Sequence, residues 1–196
     1  MLRKMNLKSD NVFDIANLIY ESDESLFGML FGRKVTALTT LCQLIRNDDN
    51  SFSYKNIYVY EVDSKMVGIV LMYSVDRMHS DSPKSYTKQM GFFQSIQFIG
   101  SAILMDPITN LSKLDGVYIQ NVCIKQEYRG NSYGSTMINV ALEYLRVIGE
   151  RNVYLDASIE KPRVQRFYKK LGFKIVEEVN IYLSDKGVYR MHQILE

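Results

Sequence analysis

The chain has 196 residues, 46% of them apolar and 23% charged, which suits one domain with a substantial core and excludes disordered and collagen-like chains. A formal net charge of +2 offers no broad electrostatic footprint for nucleic acid. Two cysteines, Cys42 and Cys123, cannot build a disulfide framework or a metal site, so both are expected as reduced thiols and no metal is expected.

In chain order, "MLRKMNLKSDN" lacks the apolar core of a secretory signal, and a short strand is predicted around Leu2–Asn6. "SDNVFDIANLIYESD" then places Val12, Ile15, Ala16 and Ile19 on one helical face, with Ser9 as its cap. "KVTALTTLCQLIRNDD" repeats the pattern through Val35, Leu38, Leu41, Cys42 and Ile45. The period changes at "NIYVYEV" and "MVGIVLMYSV", β-branched and aromatic runs that form a hairpin around "DSK". Val67–Val75 is the longest apolar run and falls far short of a bilayer span, so a soluble, cytoplasmic protein without a membrane partner is expected.

Residues 76–114 read as an insertion. Its first part is polar, and its second places Phe92, Phe93, Ile96, Ile99 and Ile103 on one side of a helix interrupted by two glycines. After it come a strand ("GVYIQNVCI"), a helix with Met137, Val140, Ala141, Tyr144, Leu145 and Ile148 inward, and a strand ("NVYLDAS"). A helix ("PRVQRFYKKLG") and two strands ("FKIVEEVNIYL", "GVYRMHQIL") finish the chain. The whole is one α/β domain with a mixed sheet: the early hairpin requires antiparallel neighbours, and the strand–helix–strand unit requires a parallel pair.

The junction "RGNSYGS" carries the first chemical signal. A strand ends near Ile124 and a helix begins near Ser132 or Tyr133, so small residues surround amides that have no intrahelical partner. Such a junction is either an anion cradle or an ordinary strand-to-helix turn. GxxxxGK[ST] and GxGxxG are both absent, which excludes a P-loop and a dinucleotide fingerprint. The second signal is "LDASIEKPRVQRFYKKLGF", where a strand ends at Asp156 and a short helix carrying Tyr168 stops at Gly172.

Together these features resemble the GNAT superfamily of acyl-CoA-dependent N-acetyltransferases. Its pyrophosphate-loop pattern Q/R-x-x-G-x-G/A reads here Arg129-Gly130-Asn131-Ser132-Tyr133-Gly134. Its later motif N-x-x-A-x-x-[LF]-Y-x-x-x-G-F reads Lys161 to Phe173, with "FYKKLGF" intact. The motif resemblance covers Tyr118–Glu177, and element order extends it to most of the chain. It implies a mostly antiparallel central sheet flanked by helices, here with the insertion between the third and fourth strands, and acetyl-CoA as co-substrate. By the same resemblance Val122, Cys123 and Ile124 offer strand backbone to the pantetheine and thioester. Arg129 opens the loop, and the amides of Gly130, Asn131, Ser132, Tyr133, Gly134 and Ser135 hold the pyrophosphate. Tyr168 protonates the departing thiolate, and Asp156 matches an acid that some members use as base.

The pattern departs from the family at three places. Ser132 stands where glycine is usual: either a left-handed backbone costs about 1–2 kcal/mol there, or the hydroxyl caps the helix or bonds a phosphate oxygen. Lys161 replaces an asparagine and is expected to reach a phosphate. Gln120 and Asn121 occupy strand positions where many relatives carry an acidic base. For Asp156 the alternatives are base and loop-orienting group, with Asp115, Glu61 and His79 weaker candidates. Deprotonating a lysine amine at pH 7 costs roughly 4.6 kcal/mol, an α-amine only about 1.

The expected activity is N-acetyl transfer to a primary amine of a small molecule or peptide, by direct attack in a ternary complex. Strand amides near Cys123 would stabilise the oxyanion. The rival readings are an acyl-enzyme on Cys123, a catalytically silent CoA-binding regulatory domain, and a partner-binding domain without cofactor. The insertion is expected as a lid over the amine or as a homodimer contact.

Overall fold

The computed structural model describes residues 1–75 and 83–196. Its elements run β1 (Leu2–Lys4), α1 (Val12–Ser22), α2 (Glu24–Phe31), α3 (Lys34–Arg46), β2 (Ile57–Val62), β3 (Lys65–Ser74), α4 (Pro83–Thr87) and α5 (Phe92–Thr109). They continue with β4 (Val117–Ile124), α6 (Tyr133–Val147), β5 (Asn152–Ser158), α7 (Pro162–Lys170), β6 (Lys174–Asn180) and β7 (Gly187–Ile194). The strands form one sheet in the order β1-β2-β3-β4-β5-β7-β6. Among the described residues only β4 and β5 pair in parallel, as the strand–helix–strand unit requires. No helix among the described residues is long and apolar enough to cross a membrane.

Strand alternation sends side chains into two cores. On one face Ile57, Ile69, Leu71, Tyr73 and Tyr118 meet α1, α2 and α3 through Ile15, Ile19, Phe27, Phe31 and Leu41. On the other, Val70, Met72, Ile119, Leu155 and Met191 meet α6 and α7 through Met137, Ile138, Ala141, Leu145 and Tyr168. Burying a side chain of this size contributes roughly 1.5–3 kcal/mol, so both helical layers are anchored by the sheet. The β2–β3 hairpin closes with Asp63 and Ser64 at φ 48° and 60°, the left-handed pair that a two-residue turn needs to follow strand twist.

Local expectations fare unevenly. Val12, Ile15, Ala16 and Ile19 are all buried on α1. Its cap is Asn11 and not Ser9, because Asn11 Oδ1 accepts from the amides of Phe13 and Asp14. On α3, Val35 is exposed and the inward row is Ala37, Leu38, Leu41, Leu44 and Ile45. On α6, Ile138 and Leu142 are buried in place of Val140 and Ile148. Helix α2 was not anticipated: Asp23 ends α1 and at once caps α2 through Oδ1 to the Leu26 amide, so two helices share one polar residue.

The insertion helix forms, but the expected stripe faces away from the protein. Phe92, Phe93, Ile96, Ile99 and Ile103 are all exposed. The opposite face is the packed one: Phe98 stacks on Phe31 at 5.8 Å between centroids, and Gln94, Gln97 and Ser101 donate to backbone oxygens of α2. Apolar residues on both faces let either stripe satisfy the period, and the polar side chains decide the matter.

Gly116 joins α5 to β4 at φ 114°, and a Cβ there would collide with the Asn152 carbonyl oxygen of β5. Gly116→Ala should therefore cost roughly 2–4 kcal/mol of stability through clash and backbone strain. Urea unfolding should show a lower midpoint with an unchanged slope.

Candidate active site

The sheet comes apart where the chemistry is expected. Parallel pairing between β4 and β5 covers only Val117–Ile119 with Val153–Leu155. Beyond it, β4 continues beside β3 and β5 beside β7. The backbone of Val122, Cys123 and Ile124 thus loses a neighbour on one side, leaving an edge onto which an extended ligand can add as a strand would. A bulge starts the separation: Leu71 pairs with Asn121 and Met72 with Ile119, so Gln120 is the extra residue.

At the end of β4 the loop turns into α6. Gly130 takes φ 83°, with open space where a side chain would stand. Among the described residues, no backbone or side-chain acceptor takes the amides of Gly130, Asn131, Ser132, Tyr133, Gly134 or Ser135. The first turn of α6 holds no acidic residue, so its dipole is unopposed and favours an anion by about 0.3–1 kcal/mol beyond the direct amide bonds. Ser132 sits at φ 60°, ψ 6° and makes no side-chain cap bond. Of the two expectations for it, the strained left-handed backbone is realised and the cap is not.

Gly134 ties this loop to the second motif. A Cβ there would lie 3.7 Å from the Phe167 ring and 3.8 Å from Ile124, so the loop, the end of β4 and helix α7 converge. Next to Phe167, Tyr168 is buried, with Phe167 and Phe173 ring edges 5.1 and 5.8 Å away between centroids. Burial pushes its phenol far above the usual tyrosine range, so its proton stays in place at any working pH.

A family model for the acetyltransferase (GNAT) family matches residues 16–173. The chain belongs to this family. It is 24% identical over 178 residues to an uncharacterized N-acetyltransferase of Methanocaldococcus jannaschii, covering 91% of this chain and 63% of that protein. This chain therefore spans less than two thirds of that relative's length. It is also 24% identical to N-alpha-acetyltransferase 30 of Schizosaccharomyces pombe, over 78% of this chain and 89% of that one. The crystal structure of an N-acetyltransferase from Staphylococcus aureus Mu50 superposes along the whole of both chains with a TM-score of 0.75 at 21% identity, a likeness of fold.

In this GNAT chain the end of α1 and its cap bond three separate segments through three successive residues. Glu21 accepts from Arg129 Nη2 at 3.4 Å. Ser22 Oγ accepts from Asn121 Nδ2 at 2.6 Å. Asp23 Oδ2 accepts from Lys161 Nζ at 3.0 Å, while its Oδ1 caps α2. Arg129 also donates through Nε to the Ile124 carbonyl. Both cations are thereby turned toward α1. The ion pairs are half exposed and worth at most about 1 kcal/mol each, so an arriving phosphate can compete for either cation.

Asp156 does not end its strand as expected but lies within β5, which runs on to Ser158, and is opposed by Arg190 of β7. Arg190, 4% exposed, donates Nε and Nη2 to the two carboxylate oxygens at 3.1 Å each, and Nη2 also reaches the Ile108 carbonyl of α5. Burial pushes the Asp156 carboxyl up, and the Arg190 fork pulls it partly back. Arg190 was not anticipated. Its one sequence signal is a lone arginine in a strand whose neighbours alternate into a core.

Glu61 is paired with Arg3 at the β1–β2 edge. Asp115 takes bonds from Asn152 and Tyr154 ahead of β4, at the opposite end of the strand from the loop. His79 lies outside the described residues. Burial raises the Cys123 thiol, and its sulfur lies 3.8 Å from Arg129 Nη2. A thiol held protonated is a poor nucleophile.

Ser132 offers a direct test of the loop. Ser132→Gly should raise stability by roughly 0.5–1 kcal/mol, since relief of left-handed strain exceeds the freedom glycine adds to the unfolded chain. Thermal melting without ligand measures it.

Proposed function

We propose that the chain is an N-acetyltransferase carrying an acetyl group from acetyl-CoA to a primary amine of a small molecule or peptide, by direct attack within a ternary complex. The observation that carries this reading is the set of unclaimed amides from Gly130 to Ser135, set beside the unpaired edge of β4 and against the Tyr168 helix. When bound, acetyl-CoA supplies the activated acyl carbon and a thiolate leaving group. The loop amides hold the diphosphate. The Val122–Ile124 edge aligns the extended arm and gives an amide to the carbonyl oxygen. Tyr168 faces the sulfur. Its phenol is less acidic than a thiol, so it steadies the departing charge by donating a hydrogen bond rather than by surrendering its proton outright. The name of the Schizosaccharomyces pombe relative keeps peptide amines within the acceptor class.

One observation favours the silent CoA-binding reading: Asp156, the matched acid, is committed on both oxygens to Arg190. Thiol release from acetyl-CoA across a panel of amines separates the two, because a silent module binds CoA with no acceptor-dependent release. Under the enzyme reading Tyr168→Phe should lower kcat on the order of 100-fold and leave the calorimetric Kd for CoA within about twofold, as expected for a group that acts mainly after binding. Unchanged turnover removes Tyr168 from the mechanism.

We also propose that α5 is a homodimer contact. Its exposed row is continuous, with Phe93 84% exposed, and Leu183 of the β6–β7 turn is 99% exposed at φ 58°. That turn is tied to α5 by the Tyr182 amide donating to the Leu104 carbonyl. No charged residue occurs from Gly91 to Met105, so the surface repels no second copy of itself and needs no oppositely charged partner. Its apolar area is on the order of 700 Å², near the ~800 Å² that each partner brings to a standard interface. Sedimentation at micromolar concentration should show a dimer that Ile99→Lys dissociates. A wild-type monomer under the same conditions removes the contact.

A further inference from the structure

Helix α7 carries a charge distribution that the transfer chemistry leaves unexplained. From Lys161 to Lys174 the chain holds six cationic residues and no acidic one, while the other 182 residues hold 18 cationic and 22 acidic side chains. A near-neutral total thus conceals a cationic helix on an acidic body. Every exposed residue in the stretch is a lysine, an arginine, Pro162 or Gly172. Lys161 is paired with Asp23. Among the described residues, Arg163, Arg166, Lys169, Lys170 and Lys174 enter no ion pair. Local stability does not account for this arrangement. Cations near a helix C-terminus suit the macrodipole, which covers Lys169 and Lys170 in the last turn. Arg163, the second residue of α7, opposes the dipole. Arg166 has Arg163, Lys169 and Lys170 as like-charged neighbours three or four positions away, and each such pair destabilises a helix. A partner that brings negative charge to this face relieves all of these repulsions at once.

The make-up of the face selects among polyanions. Protein interfaces are built on apolar and aromatic anchors and are poor in lysine, whereas α7 exposes no aromatic or branched apolar side chain. Its apolar side, Val164, Phe167 and Tyr168, is committed to the core under the sheet, so nothing is left to enter a bilayer. Single-stranded nucleic acid is held in large part by aromatic stacking, which the same absence disfavours. The phosphate backbone of a duplex needs cations alone. Arg163, Arg166 and Lys170 fall within roughly 60° of one another around the helix axis and span about 10 Å along it. One strand of a duplex advances about 3.4 Å per phosphate, so the row runs alongside about three phosphate steps, with Lys169 on its flank. We propose that the outward face of α7 docks on the phosphate backbone of double-stranded DNA without reading its sequence. DNA is favoured over an RNA duplex because the exposed face has no side-chain hydroxyl or amide to read a 2′-OH. The acidic remainder of the molecule orients the encounter by repelling the same backbone from other sides. Nothing in this inference depends on the acetyltransferase reading.

The test is fluorescence anisotropy of a short labelled DNA duplex titrated with the full chain at several salt concentrations. With four phosphate contacts, raising KCl from about 50 to about 200 mM should weaken wild-type binding about 150-fold. The triple variant Arg163→Gln, Arg166→Gln, Lys170→Gln should bind at least about tenfold more weakly at the lower salt, and its affinity should fall only three- to fourfold, roughly, over the same range. Its melting temperature should stay level or rise, because like-charge pairs are removed. Arg163→Lys with Arg166→Lys should keep wild-type affinity within about twofold, since a phosphate contact needs the charge. Should the triple variant fail to fold, Arg166→Gln alone decides, by making the log–log salt slope shallower by about one. A wild type that ignores the duplex at the lower salt, or a slope unchanged in the folded variants, overturns the proposal. So does tighter binding to polyglutamate, to phosphatidylserine vesicles or to an RNA duplex of the same sequence. Displacement of the DNA by saturating acetyl-CoA, with the triple variant raising the KM for acetyl-CoA, also overturns it by assigning these cations to the co-substrate.

Discussion

Two parallel strands that stop pairing early set the terms for everything else in this protein. β4 and β5 share a ladder only from Val117 to Ile119 on one side and Val153 to Leu155 on the other. A continuous ladder would satisfy every backbone group of β4 and leave none for a ligand. Because the strands part, Val122, Cys123 and Ile124 present an open edge inside the molecule, protected from intermolecular pairing by the layers above and below it. The bulge at Gln120 is the local device that begins the parting. The helix N-terminus and the tyrosine helix are then brought together by the same opening, since Gly134 contacts both Ile124 and Phe167.

The second constraint is electrostatic closure. Carboxylates and cations around the opening are matched in pairs, from the buried fork of Arg190 on Asp156 to the half-exposed pairs of Glu21 and Asp23. Removing one partner of a buried pair costs roughly 3–5 kcal/mol, whereas the half-exposed pairs cost little to open. The interior pair is thus architecture, and the outer pairs are contacts that a ligand can exchange.

Legibility in the sequence followed the range of the interactions. Strand periodicity, the parallel unit and both motifs are local, and the order of elements emerged with the mixed sheet they require. The open backbone of the loop was readable because it depends on a few consecutive small residues. Helix α2 escaped because its cap, Asp23, also ends α1, which erases the usual punctuation between helices. The stripe on α5 was legible but the direction it faces was not, since the deciding groups are Gln94, Gln97 and Ser101, whose partners lie on α2 far back in the chain. Arg190 and Ser22 were invisible for the same reason: each acts on a residue separated from it by a long stretch of chain.

Glu21 and Ser22 point about 100° apart, as 3.6 residues per turn dictates, and Asp23, the cap beyond α1 at φ −157° and ψ 84°, is turned to a third wall by the break in the helix. Such a turn behaves as a small rigid yoke. Turning both Arg129 and Lys161 away from it would release two of its arms and leave the bond from Asn121 Nδ2 to Ser22 Oγ as the third.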